Sequence, residues 1–193
     1  MKGKYLKGRK ITYDGTQLRS LWALNEQGVQ GDSVVAFRGP CDVSGDALVD
    51  QLDAKAGKVI RSDDMVHFIV ELFDSDLPRT VVLRRLLVFI IKEVIEELKP
   101  EIFVERKGND LFIEVDEPGI EYRKLSVSIA TVSPVSTLIH VGVNVTSDNT
   151  PVPTFGLADL EVPVEEFVLK GLQKFITEIK EMDLERTKVR GVP

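Results

Sequence analysis

An α+β fold, a mainly antiparallel sheet with packed helices, follows from three features of the chain. Short strands are joined by good hairpin turns, two long stretches repeat their apolar residues at helical spacing, and no repeat or low-complexity linker interrupts them. The first helix is expected over about 16–27, with Leu18, Leu21 and Trp22 on one face and Gly28 as a left-handed stop. Residues 33–37 read as a buried strand ending at the breaker Arg38-Gly39-Pro40. A short helix and turn fit 44–60, where Leu48, Val49 and Leu52 share a face and Gly57 closes it. A second buried strand fits 65–73. The longest helix is expected over 77–98, capped by Asp76, entered through Pro78 and ended by Pro100. Its inner stripe is Leu83, Leu87, Ile90, Val94 and Leu98. Residues 102–105 and 111–115 flank the turn Lys107-Gly108-Asn109-Asp110, and a longer hairpin turns near Val132-Ser133-Pro134. A terminal helix fits 164–182, with 183–193 as a mobile tail.

The 193 residues suit a single domain, and 43% hydrophobic residues suffice for a sizeable core. A net charge of −6 argues against a protein that mainly grips nucleic acid. The longest apolar run, 86–91, is too short to cross a bilayer, and no apolar segment follows the basic residues Lys2, Lys4, Lys7, Arg9 and Lys10. One cysteine makes no internal disulfide, so a reducing, cytoplasmic setting is the simplest. The low amide content suits a thermophile, and exposed strand edges make a homo-oligomer the expected assembly.

The stretch 123–146 carries the chemistry. In its second strand Val135, Thr137, Ile139, Val141, Val143 and Val145 share one face, and Ser136, Leu138, His140, Gly142 and Asn144 the other. In the first strand Leu125, Val127 and Ile129 share the apolar face, while Lys124, Ser126 and Ser128 share the other. A turn centred near Ser133-Pro134 sets Lys124 opposite Gly142 or Asn144. Lys124, Ser126, His140 and Asn144 then converge on one patch, and Gly142 leaves space above it. An ordinary solvated sheet face explains the same residue types equally well.

Arg123-Lys124-Leu125-Ser126 resembles the lysine motif of the octanoyltransferases and the lipoate and biotin protein ligases. His140-Val141-Gly142-Val143-Asn144-Val145 resembles the strand that follows in those enzymes, and Pro153-Thr154-Phe155-Gly156-Leu157-Ala158-Asp159 is similar to a later octanoyltransferase segment. The whole chain also resembles an archaeal family of uncharacterised conserved proteins. The resemblance implies the catalytic-domain fold of the class II synthetases and biotin/lipoate ligases, Lys124 as the catalytic residue, and a small acyl ligand or a nucleotide as partner. Two departures weigh on the reaction. Phe155 stands where the transferases carry a cysteine nucleophile, and residues 58–65 lack the ligases' glycine- and arginine-rich loop.

Other residues are candidates for ligand contact. Arg38, Gly39, Cys41 and Asp42 lie just past a strand, with Cys41 either a thiolate beside Arg38 or a small buried apolar residue. Asp42 and Asp46 alternatively cap the next helix. Arg61, Asp63 and Asp64 suit a phosphate and a magnesium ion, or simply a charged turn before a strand. His67 and His140, the only histidines, show no metal-ligand spacing with Cys41 or Asp63, and no cofactor fingerprint occurs.

Overall fold

The basic N-terminal segment forms an edge strand, β1 (Lys2–Lys10), which pairs in parallel with β2 (Ser33–Ser44). The structure, a computed structural model, describes residues 1–192. Between these strands lies the single short helix α1 (Trp22–Gln27), and beyond them come α2 (Gln51–Lys55), β3 (Val59–Leu72) and α3 (Leu77–Leu98). The strands β4 (Glu105–Lys107), β5 (Asp110–Glu117) and β6 (Ile120–Lys124) form a small sheet of their own. Finally β7 (Ser126–Val132), β8 (Thr137–Asn144) and α4 (Val164–Glu185) complete the fold. The main sheet has the order β1-β2-β3-β8-β7, antiparallel except at β1-β2.

Several boundaries differ from expectation, each for a local reason. Residues 16–21 are turns rather than helix: Leu21 takes a left-handed conformation (φ 61°), and its amide donates to the buried Glu71 carboxylate at 2.7 Å. Gly28 does supply the left-handed stop (φ 68°). Strand β2 passes through the expected breaker, because Gly39-Pro40 falls at a register shift between Gly39 and Cys41 where a ladder donor is not required. The charged stretch 61–64 therefore lies within β3, whose residues 59–62 pair with 41–44, and is not a turn. Asp42 caps nothing, since it lies within β2, and Asp46 sits in a 3₁₀ turn at Gly45–Ala47. Asp50 is the cap, accepting from the amides of Leu52 and Asp53. Helix α3 forms as expected, with Asp76 accepting from the Arg79 amide at 2.8 Å. Helix α4 runs to Glu185, into the segment expected as a tail; that expectation also includes Pro193, which lies outside the described residues.

The central strands are buried on both faces, which is why they read as apolar runs. On one face Val66, Phe68, Val70, Ile139, Val141 and Val143 pack under α3 and α4 against Leu83, Leu87, Ile91, Phe167 and Phe175. On the other, Val35, Phe37, Met65 and Ile69 pack with Tyr13 and Leu48 from the loops, Trp22 from α1 and Cys41 from the end of β2. Burying one such Phe or Leu contributes about 1.5–3 kcal/mol. The second layer covers only part of the helix-free face, and the uncovered part is the cleft.

Candidate functional site

A cleft of about 320 Å³ opens on the helix-free face of the main sheet. Met65, Val127, Ile129, His140 and Asn144 line it from β3, β7 and β8, and Tyr13, Leu48, Asp50 and Asp53 from the loops and α2. Lys124, Asn109, Asp110 and Thr154 contribute the wall toward the small sheet.

The Lys124 backbone is fixed where the chain leaves one sheet for the other. It ends β6 opposite Phe112, its amide donates to the Pro153 carbonyl (2.9 Å), and its carbonyl accepts from the Phe155 amide (3.1 Å). At the next residue the Leu125 amide donates to the Leu111 carbonyl, and its own carbonyl accepts from the Asn144 amide. The Lys124 ammonium lies 2.7 Å from the Asp110 carboxylate, with both side chains about a quarter exposed. Asn144 Nδ2 reaches the Lys124 carbonyl at 3.4 Å, so the two residues are neighbours on the cleft wall. Arg84 from α3 donates to Asn109 Oδ1 at 2.8 Å, bracing the turn that presents Asp110.

The register of the β7-β8 hairpin corrects the expected faces. Val132 pairs with Thr137 across a four-residue loop, which places Val127 opposite Gly142 and Ser126 opposite Val143. This is one residue away from the expected alignment with Asn144 and three from that with Gly142, and any odd slip exchanges the two faces of a strand. Val127 and Ile129, not Ser126 and Ser128, therefore share the face of Gly142 and His140. Lys124 is not on β7 and does not pair with Gly142 or Asn144. Ser126 still borders the cleft at the sheet edge, but its hydroxyl accepts from the Leu111 amide at 2.9 Å and ties the small sheet to the main one. Nor does Gly142 leave open space, because a Cβ there would lie 2.9 Å from the Met65 methyl and 3.2 Å from Val127.

The remaining candidates fall into two groups. Arg61 borders the cleft, paired at 3.1 Å with Asp42 directly across the ladder. Arg38, Asp63 and Asp64 are engaged elsewhere: Arg38 holds Asp64 through Nε (2.9 Å) and Nη2 (2.6 Å), and Asp63 accepts from Asn149. Adjacent on a strand, Asp63 and Asp64 point apart, so the pair does not form a magnesium site. Among the described residues no cluster of three or more histidine, cysteine or acidic side chains suits a metal. Gly39 is a packing residue, since a Cβ there would meet the Ile11 carbonyl oxygen at 2.1 Å. Cys41 is 1% exposed, and burial followed by the nearby Asp42 charge pushes its thiol up to about 12, which removes it as a thiolate nucleophile.

His140 lines the cleft as part of a buried aromatic stack. The Tyr13 ring lies on it with centroids 3.7 Å apart and planes 16° apart, and His67 Nδ1 is 3.0 Å from His140 Nε2. Burial pushes His67 down to about 4, and burial, followed by the repulsion that two protonated rings would feel, lowers His140 well below the usual imidazole range. Both rings are neutral at pH 7. Tyr13 and Asp110 were not legible as site residues. Tyr13 sits in a loop without periodicity, bridged to Cys41. Asp110 read only as turn chemistry, although it is the diagonal neighbour of Lys124 across the β5-β6 ladder.

A helix-backed antiparallel sheet with this open face is the fold of the biotin and lipoate protein ligase catalytic domains. The biotin protein ligase of Aquifex aeolicus superposes with a TM-score of 0.59 at 16% identity, covering 94% of this chain and 69% of that one. A lipoate protein ligase of Thermoplasma acidophilum gives 0.56 at 16% identity, covering 92% and 83%. At these identities the likeness is one of fold. Much nearer are a protein of unknown function from Pyrococcus horikoshi, with a TM-score of 0.90, 37% identity and full coverage of both chains, and the uncharacterised protein MJ0805 of Methanocaldococcus jannaschii. The latter is 38% identical over 191 residues, 95% of this chain and 81% of that protein. Residues 1–190 match the domain of unknown function DUF366, and the chain belongs to that family.

Proposed function

We propose that the cleft binds a small carboxylate- or acyl-bearing molecule, with the Lys124 ammonium as its charged anchor. The observation that carries this reading is the position of Lys124. Its backbone is pinned between two sheets, and its ammonium stands on the cleft wall beside the apolar side chains Met65, Val127 and Ile129. Asp110 faces that ammonium as an ion partner at 2.7 Å, and the ammonium's N–H groups can also meet a ligand oxygen. The volume fits a small ligand. Structural neighbours described in complex with biotin and ATP, and with bound lipoic acid, support the ligand class and a nucleotide as its companion.

Binding is better supported than acyl transfer through a covalent enzyme intermediate. The single cysteine is buried beneath the site, and Phe155 packs against the helix-side core with the Arg123 guanidinium 5.6 Å from its ring centroid. Titration calorimetry with lipoate, octanoate and biotin, with and without ATP, tests the reading. Saturable binding of at least one carboxylate is expected, weakened at least tenfold in Lys124→Ala, since a charge-assisted hydrogen bond contributes about 1.5–3 kcal/mol. Absence of binding by all three would sink it. Release of pyrophosphate in the same mixtures would mark activation of the carboxylate rather than binding alone.

A further inference from the structure

The two histidines form a hydrogen-bonded chain whose proton positions are fixed by one backbone carbonyl. His67 Nε2 lies 3.2 Å from the Gly39 oxygen, which only accepts, so Nε2 carries the His67 proton. The ring is neutral, so His67 Nδ1 is a lone pair. That lone pair faces His140 Nε2 at 3.0 Å, so Nε2 is the donor and carries the His140 proton. His140 Nδ1 is then an unprotonated acceptor. It makes no hydrogen bond to the described residues. Nor is it one of the fully enclosed unpaired atoms, which are Ser33 Oγ, Arg84 Nε and Thr146 Oγ1. His140 itself is part of the cleft wall.

We infer that His140 Nδ1 is a preset hydrogen-bond acceptor in the cleft, and that the ligand carries an N–H donor of amide or urea type remote from its carboxylate. The inference rests on the cleft being the ligand site and narrows what that site takes. His140 and Asn144, the neighbour of Lys124, are four residues apart on β8, about 13 Å at the rise of a strand. Between them the face offers Met65, Val127 and Ile129. The complementary molecule therefore has an anionic end, an apolar middle and a donor-bearing head. A plain alkanoate or a dithiolane acid fills the same space and leaves the acceptor unpaired, which a buried polar site penalises. Tyr13 stacked on the imidazole blocks rotation of the ring and holds the acceptor in place.

Two measurements test this. Imidazole nitrogen NMR of the ¹⁵N-labelled full chain should show both histidines protonated at Nε2 only, without titration between pH 8 and 5.5. A proton on His140 Nδ1, or titration near 6.5, would overturn the inference, and this experiment needs no variant. In calorimetry, biotin and desthiobiotin (both ureas) should bind at least tenfold tighter than octanoate and lipoate. His140→Phe should remove that preference, lowering biotin affinity at least tenfold more than octanoate affinity. Equal affinities, or a preference for octanoate, overturn the role of His140 and leave the cleft standing as a carboxylate site. Failure of all four compounds to bind overturns both readings.

Discussion

Lys124 stands in surroundings that its own stretch of sequence does not reveal. A lysine on a wet sheet face loses little on truncation, but this one neutralises Asp110 at 2.7 Å in a partly enclosed corner. Lys124→Ala is expected to destabilise the fold by about 1 kcal/mol, most of it the cost of leaving Asp110 without its cation. The double change Lys124→Ala with Asp110→Ala should recover part of that loss in urea denaturation. Additive losses would show that the pair is not coupled. Gly142 is a second case. The sequence suggested an empty space above it, yet the Met65 methyl and Val127 fill that space. Gly142→Val should accordingly lower stability by about 1–3 kcal/mol through overpacking, despite valine's strand preference. A rise in melting temperature would contradict the packing seen here.

Elements whose ends are set by local chemistry were legible in the sequence. Asp76, Pro78 and the apolar stripe of α3 specify its start and its buried face without reference to the rest of the chain. Asp76→Ala should cost about 1 kcal/mol in a thermal or urea melt through loss of the cap to Arg79. No change on that substitution would mean that packing alone holds the first turn. What was not legible depends on partners distant in sequence. Residues 59–64 extend β3 because β2 continues through Gly39-Pro40 to meet them. The faces of β7 depend on whether the loop to β8 holds four residues or five, and alternation within a strand cannot decide that. The break at Leu125, which separates Lys124 from β7, leaves no compositional trace at all, since both sides read as the same alternating strand.

At the scale of the whole molecule, two cores share one sheet, and the smaller holds both histidine rings. The helix-side core is hydrocarbon and aromatic, whereas the loop-side core encloses His67 and His140 between Tyr13 and the sheet. Stability must then depend on pH in a range where carboxylates are still ionised. Both imidazoles have folded values below the unfolded value of about 6.5, His67 at about 4 and His140 well below the usual range. Below pH 6.5 the unfolded chain therefore binds protons that the folded chain excludes. Stability is present in full above pH 6.5 and falls as the pH drops through that value toward the folded ones, by roughly 1.4 kcal/mol per pH unit for each ring. The groups around the rings do not offset this. Tyr13 and Cys41 are raised by burial and stay neutral, and Asp64, the charge acting on His67, is held by Arg38. Urea midpoints measured at pH 7.5, 6.5, 5.5 and 5.0 should decline steadily below 6.5, with a loss of about 2 kcal/mol from His67 at pH 5 and a further loss in the same direction from His140. The double variant His67→Phe with His140→Phe should flatten the curve over the same range. A wild-type profile already flat between pH 7 and 5 would mean that the rings take up protons in place, and the neutral chain ending at His140 Nδ1 would fall with it.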